Sequence, residues 1–163
     1  MKPTRARDLV AVALICGVFF YLVLTRVYLR LPTLPRTAPL SVLLIGLAEL
    51  QVAALVRNRL EGRPGTRPIS PIVVARFAAL AKASSLAGAA IAGCWAGVLA
   101  YTVPRAGELA AAGADAITAG LGLVAALILV TGALLLERVC RAWRPPDDKT
   151  DDSDVPRRPP GRA

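Results

Sequence analysis

The residues of this sequence that could do chemistry are the polar side chains inside its long apolar stretches. Glu49 lies within the apolar residues 40–56, and Lys82, Ser84 and Ser85 lie within a second apolar stretch. An ionisable side chain inside a membrane span indicates function by default, because burying a charge in hydrocarbon is costly. Glu49, with Lys82 or the two serines as partners, is therefore a candidate for proton or ion handling. The alternative is a protonated or hydrogen-bonded carboxyl that only fixes helix packing.

The other reactive residue types do not indicate an enzyme active site or a metal site. The 163 residues include no histidine, which is the commonest general base and metal ligand. The three cysteines, Cys16, Cys94 and Cys140, form no C-x-x-C pair, so neither a zinc site nor a disulfide framework is indicated. No nucleophile–base pair is visible. We therefore predict a non-enzymatic protein with no catalytic residue, no metal and no cofactor.

A second group of candidate residues is basic and follows the apolar residues 40–56. The stretch GRPGTRP within it lacks the Gly-Lys-Ser/Thr ending of a phosphate-binding loop, and no strand precedes it. We predict a stiff cytoplasmic loop that binds anionic lipid headgroups or an acidic partner, or else one that only sets membrane orientation. The basic residues of this loop and of the helix start that follows it are Arg57, Arg59, Arg63, Arg67 and Arg76.

The elements that must position these residues are predicted to be four membrane-spanning helices. The chain is 55% hydrophobic and its charges are bunched between uncharged runs, and runs of about 18 or more apolar residues are long enough to cross a bilayer as helices. We therefore predict an all-α integral membrane four-helix bundle in residues 1–144. The charged, proline-rich residues 145–163 are predicted to be disordered. The predicted spans are about 9–28, 39–56, 72–103 and 116–136.

The distribution of basic residues predicts which ends of the helices face the cytoplasm. Cytoplasmic segments of membrane proteins carry an excess of Lys and Arg, and the net charge of +9 is explained by such flanking residues rather than by nucleic-acid binding. We therefore expect both termini in the cytoplasm and a multi-pass protein of the cell membrane. One side would carry the N-terminus, the Arg57–Arg67 loop and the end of the fourth span, and the other would carry Arg26, Arg30, Arg36 and Arg105.

The depth of Lys82 depends on which end of the third helix is placed at the membrane surface. Counted inward from Ile72, Lys82 is roughly 15 Å deep, and Glu49 counted from Arg57 is roughly 12 Å deep, so the two could form an ion pair. Counted from Pro104 at the far side, Lys82 is roughly 33 Å away. Because the hydrocarbon is only about 30 Å thick, this count puts Lys82 at the cytoplasmic interface.

We favour the second count, because residues 83–103 are uncharged and long enough to span the membrane alone. The first turns of the third helix would then project into the headgroups or the cytoplasm. Arg76 and Lys82 would meet lipid phosphates there, or Glu137 at the inner end of the fourth span.

Small residues recur every four positions along the third helix and predict close helix packing. One row contains Ser85, Gly93 and Gly97, and a neighbouring row contains Ser84 and Gly88. Rows of small residues allow helices in lipid to approach closely, and packing is what drives their association. We expect this contact to lie within one copy of the chain rather than between two. Gly88, Gly93 and Gly97 are the predicted packing residues.

Several stretches resemble a known family. MKPTRARDLVAVAL at the start, GRPGTRPISP, ARFAALAKASSLAGA and GCWAGVLAY are similar to an actinobacterial family of small membrane proteins, catalogued as domain of unknown function 3180. The resemblance covers roughly residues 1–145. It implies a four-span inner-membrane protein whose gene often lies near folate-biosynthesis genes, and it supplies no established catalytic residue.

The function we predict is that of a non-enzymatic scaffold or accessory subunit that uses its basic cytoplasmic loop. The expected partners are membrane lipids, including anionic headgroups, and a membrane protein. The alternative is a small transporter or channel component that uses Glu49, which would need an oligomer because four short spans leave little room for a path. A membrane enzyme is the weakest of the three hypotheses, and the oligomeric state stays open.

Overall fold

Four long α-helices make up most of the described structure. The computed structural model describes residues 5–30, 34–60 and 71–142. Each helix is long and apolar enough to cross a membrane, and no strand occurs in the described residues, which confirms the all-α, four-helix prediction. Short 3₁₀ turns, Tyr28–Arg30 and Val103–Arg105, follow the first and third helices. The helices are α1 (Ala6–Val27), α2 (Ala38–Leu60), α3 (Pro71–Thr102) and α4 (Ala110–Ala142).

The helix ends follow local sequence rules, and α1, α2 and α4 are longer than the predicted spans. α3 begins at Pro71, since a proline is well tolerated in the first turn, and it gives way to a 3₁₀ turn that contains Pro104. α4 begins at Ala110 rather than at about residue 116. The residues added to it are mostly alanine, which has the highest helix propensity, so they form helix although the sequence analysis took them as a connection.

The four helices pack as a row in the order α1, α3, α4, α2. In the described part of the chain, Cα atoms within 8 Å join α1 to α3, α3 to α4 and α4 to α2, and no such pair joins α1 to α2, α1 to α4 or α2 to α3. α3 and α4 are therefore the central pair, and α1 and α2 each rest against one neighbour.

The contacts also fix the helix directions. Gly93 of α3 lies against Ala13 of α1, and Gly97 lies between Gly17 and Tyr21, so α1 and α3 run parallel. α3 and α4 are antiparallel, and α4 runs parallel to α2. The N-terminal ends of α1 and α3 therefore share one end of the bundle with the C-terminal ends of α2 and α4.

The predicted packing glycines face two different helices. A Cβ atom on Gly93 would overlap the carbonyl oxygen of Ala13, and one on Gly97 would lie 2.5 Å from that of Gly17. Gly88 faces α4 instead, where a Cβ atom would lie 2.8 Å from Cγ2 of Val130. Each glycine therefore lets a neighbouring helix come closer than any side chain would permit.

α4 is held to its two neighbours in a similar way. A Cβ atom on Gly46 of α2 would lie 2.9 Å from the backbone nitrogen of Leu129, and one on Gly132 would lie 3.3 Å from that of Leu50. Gly122 leaves room for the indole ring of Trp95 from α3. Backbone-to-backbone contact thus occurs in both outer pairs, α1 with α3 and α2 with α4.

The outer helices are staggered in opposite directions along this row. The α1–α3 contacts put Ala6, where α1 begins, about level with Ser84, so α3 extends about three turns beyond α1 at that end. The α2–α4 contacts put Ala38, where α2 begins, about level with Leu121. α4 therefore extends about three turns beyond α2 at the opposite end. We call the surface of α4 before Leu121 that α2 leaves uncovered the α4 notch.

Two clusters of buried apolar residues lie at opposite ends of the helices. The first lies where α2 ends, α3 begins and α4 ends, and the second lies where α1 and α3 end and α4 begins. The first cluster contains Ala53, Val56, Val74, Ala81, Leu136 and Cys140, and the second contains Leu24, Tyr28, Val98, Tyr101 and Ala119.

We predict that Gly93→Ala destabilises the protein whereas Gly120→Ala does not. Both changes gain helix propensity of about 1 kcal/mol, but only the Cβ at position 93 meets backbone, that of Ala13, while nothing lies within 4 Å at position 120. Overpacking of this kind costs about 1–3 kcal/mol. Thermal unfolding of the two variants in the same detergent measures the difference, and equal unfolding temperatures would show that Gly93 does not pack on α1.

Candidate functional site

Glu49 lies on the face of α2 that packs against α4. The buried residues of α2 include Gly46, Glu49, Ala53 and Val56, which follow one another at helical spacing. The Glu49 side chain is 8% exposed, and its Oε2 atom is buried and accepts no hydrogen bond. An unsatisfied buried oxygen of this kind is unusual and costly. Glu49 is therefore a buried carboxyl for which the described packing supplies no donor to one oxygen.

The predicted partners of Glu49 do not meet it. Leu50, the next residue, packs on Gly132 of α4, which puts Glu49 at about the level of Ser85 on α3. Ser85 is fully buried, but its hydroxyl donates a hydrogen bond of 2.9 Å to the carbonyl oxygen of Lys82 in its own helix. Ser84 is half-buried. α4 stands between α2 and α3, so Glu49 and these serines lie at the same level along the helix axes but form no hydrogen bond with each other.

Lys82 is separated from Glu49 by the same arrangement. It lies on α3 within about one turn of the level at which α1 begins, and it is half-buried. Within the described residues it forms no ion pair with Glu49 or with Glu137, which is buried on α4. Lys82 lies about three turns in from the end of the bundle where α3 begins. The ion pair allowed by the first count is not formed, and the depth of Lys82 in the membrane stays a prediction.

The basic residues of the predicted loop gather at this same end. Arg57 and Arg59 are exposed in the last turn of α2, and Arg76 is exposed near the start of α3. Arg63 and Arg67 lie outside the described residues, as do residues 143–163, which include the predicted tail. We call this end, formed by the starts of α1 and α3 and the ends of α2 and α4, the basic end. Its cytoplasmic location stays a prediction.

A buried acid that the sequence analysis did not single out lies at the opposite end. Asp115 of α4 is only 3% exposed. Its Oδ2 accepts a hydrogen bond of 2.7 Å from the hydroxyl of Tyr28, and its Oδ1 accepts one of 3.0 Å from the backbone N–H of Leu34. The only local signal is an acid placed directly before a long uncharged run. We call the group Tyr28, Leu34 and Asp115 the Asp115 clasp, since it ties the α1–α2 connection to α4.

An aromatic cluster surrounds the clasp. The rings of Tyr28 and Tyr101 are 4.9 Å apart between centroids, and those of Tyr21 and Tyr101 are 6.2 Å apart. The Arg105 guanidinium lies 4.2 Å from the centroid of the Tyr101 ring and donates a hydrogen bond to the Tyr101 carbonyl oxygen at 2.9 Å. A cation over an aromatic face is attracted by the ring quadrupole. Arg105 is thereby held at the rim of this end.

Tyr28 is a persistent donor in the clasp. It lies just past the last residue of α1, where desolvation by burial and its hydrogen bond to Asp115 raise the pKa of its hydroxyl to about 12. The hydroxyl therefore stays protonated across the physiological pH range, and the clasp does not open by loss of that proton.

Comparison with known proteins places the chain in a family. The family model described as "Protein of unknown function (DUF3180)" matches residues 9–145. The chain belongs to this family. The match runs from the first turn of α1 to the end of α4, so it covers Glu49, Asp115 and both ends of the bundle. Neither a search of curated proteins nor a search of solved structures found a match.

We predict that Tyr28→Phe destabilises the protein and that Tyr21→Phe does so much less. The first change removes one of the two donors to a buried carboxylate, which costs about 1–3 kcal/mol. The Tyr21 hydroxyl makes no hydrogen bond within the described residues, and its ring contact survives in phenylalanine. Thermal unfolding in detergent compares the two, and an equal effect of both would rule out the clasp.

We predict that Glu49→Gln changes the free energy of unfolding by less than about 1 kcal/mol, because Oε2 accepts no hydrogen bond that the amide would lose. Asp115→Asn is the matched comparison. It replaces an acceptor-only oxygen by a donor amide where both oxygens accept bonds, so it should cost about 1–3 kcal/mol. Urea or thermal unfolding of both variants in one detergent is the measurement. A larger loss for Glu49→Gln would mean that Glu49 has a structural partner.

Proposed function

We propose that the protein is a non-enzymatic scaffold or accessory subunit of the cell membrane, which binds a membrane-protein partner with its basic end on the cytoplasmic side. The observation that carries this proposal is the packed interior between Glu49 and Asp115, two of the three buried carboxyls of the described residues. Asp115 and Gly132, which is level with Glu49, are roughly 26 Å apart along α4 at about 1.5 Å per residue. Two carboxyls so far apart cannot act on one substrate atom.

In the described part of the chain, the residues of α4 that are buried between these levels form no polar path. Only Thr118 among them is polar, and its hydroxyl donates to the Ala114 carbonyl oxygen at 3.1 Å. Transport paths in membranes are lined by polar or ionisable groups. A packed interior suits a structural role better than solute passage through a monomer. The other buried residues of this stretch are Ala119, Gly122, Ala125, Ala126 and Leu129.

The outer surfaces of the row support a role in lateral contacts. α1 exposes large apolar side chains such as Ile15 and Phe19, and α2 exposes Leu44 and Leu55. Because each outer helix has only one neighbour in the row, these faces are open to lipid or to the helices of another protein. At the basic end the exposed arginines add a charged surface, which would select an acidic partner and orient it.

The proposal is tested by partner recovery from native membranes. The double variant Arg59→Glu with Arg76→Glu reverses two exposed charges at the basic end. We expect it to lower several-fold the amount of partner recovered after crosslinking and affinity purification, because like charges then face the acidic surface. The matched control, Arg26→Glu with Arg30→Glu, reverses two exposed arginines at the opposite end and should leave recovery unchanged. Cysteine labelling from each side of the membrane checks that neither variant inverts the topology.

The rival function is transport by an oligomer, and the unsatisfied Oε2 of Glu49 is the observation that favours it. Purified protein in sealed vesicles would then carry protons or a solute, and Glu49→Gln would abolish the flux. Such a flux, or partner recovery that is equal in both double variants, would overturn the scaffold proposal.

A further inference from the structure

The surface that we call the α4 notch contains a cavity with a polar rim and an apolar wall. Its volume is about 260 Å³, and its lining consists of Arg36 from the α1–α2 connection with Ala114, Ile117, Thr118 and Leu121 from α4. The cavity exists because α2 begins only at the level of Leu121 and so leaves the preceding turns of α4 uncovered on that side. It is therefore a consequence of the helix stagger and not of a missing side chain.

Arg36 is held over this cavity by hydrogen bonds on both sides of it. The backbone N–H of Leu34 donates to Asp115 at 3.0 Å, and the backbone N–H of Ala38 donates to the Pro35 carbonyl oxygen at 3.0 Å, which closes a turn around Arg36. The guanidinium is exposed and forms no ion pair within the described residues. The two oxygens of Asp115 accept hydrogen bonds from Tyr28 and from the backbone of Leu34, and Arg36 is not among their donors.

The apolar wall continues from the cavity along the outside of α4. Ile117 is 69% exposed and Leu121 is 58% exposed, and at four-residue spacing they lie one above the other on the helix surface. A cation at the rim with an open apolar strip beside it matches an amphiphile that has an anionic head and a hydrocarbon tail. A small soluble anion would gain nothing from the strip.

The level of the cavity agrees with a lipid headgroup. Arg26 at the end of α1, Arg105 after α3 and Arg36 all lie at this end of the bundle, where cations mark the boundary between hydrocarbon and headgroups. From this geometry we infer that the α4 notch is a phospholipid site: Arg36 binds the phosphate of an anionic phospholipid, and one acyl chain lies along Ile117 and Leu121. Arg suits this role because its planar fork donates two parallel hydrogen bonds to one phosphate. The inference does not rest on the scaffold function.

The test is lipid binding by the purified full-length chain in detergent, measured by native mass spectrometry with added dioleoylphosphatidylglycerol or dioleoylphosphatidylcholine. The wild type should retain the anionic lipid in preference to the zwitterionic one. Arg36→Gln should weaken binding of phosphatidylglycerol about tenfold, as expected for the loss of charge-assisted hydrogen bonds. The matched control is Arg30→Gln, which removes an exposed arginine at the same end that does not line the cavity, and it should bind within about twofold of the wild type.

A second variant tests the cavity without changing charge. Ala114→Leu puts a larger side chain into the wall, so it should weaken phosphatidylglycerol binding while Arg36 is intact. Thermal unfolding without added lipid shows whether each variant keeps its fold. Undiminished binding by Arg36→Gln, an equal loss in Arg30→Gln, or equal retention of the two lipids by the wild type would overturn the site. Competition by inorganic phosphate alone, with no preference for the lipid, would overturn its assignment to a lipid.

Discussion

The structure depends on the close approach of helix backbones at a few glycines. Between apolar helices in lipid the hydrophobic effect supplies no driving force, because the lipid is as apolar as the side chains. Association must then come from van der Waals contact and hydrogen bonds. Gly93 and Gly97 bring α3 against α1, and Gly46 and Gly132 bring α2 against α4. These two contacts, with α3 against α4 between them, determine that the helices form a row.

The row in turn determines where polar groups are needed. Because α1 rests on α3 and α2 rests on α4, the chain must cross the beginning of α4 between its first two helices. Such a crossing exposes backbone N–H groups that need acceptors. Asp115 supplies one to Leu34 and takes a second bond from Tyr28, so a single buried carboxylate fixes the crossing. The same crossing holds Arg36 at the edge of the uncovered turns of α4.

Sequence reasoning predicted those features that depend on local pattern. Four apolar helices and the small-residue spacing of Gly93 and Gly97 can be read from composition and period. The helix that each set of small residues contacts cannot be read in this way, because Gly88 and Gly93 lie on different sides of one helix and face different neighbours. The role of Asp115 could not be predicted, because its two hydrogen-bond donors are 87 and 81 residues away in the chain. The level of Lys82 relative to α1 depends on how far α1 is shifted along α3, and counting residues along one helix cannot show this shift.

Asp115 on α4 and Glu49 on α2 illustrate how structural and unexplained acids differ. Asp115 has a donor for each oxygen, so its burial is accounted for by the fold. Glu49 is buried to a similar degree, yet its Oε2 has no donor within the described residues. An unsatisfied buried oxygen costs about 1–3 kcal/mol, and an apolar side chain at this position would avoid that cost. The packing of a single copy therefore does not explain Glu49. A flux measurement on Glu49→Gln accordingly belongs beside partner recovery, since it examines a buried oxygen for which the described packing supplies no donor.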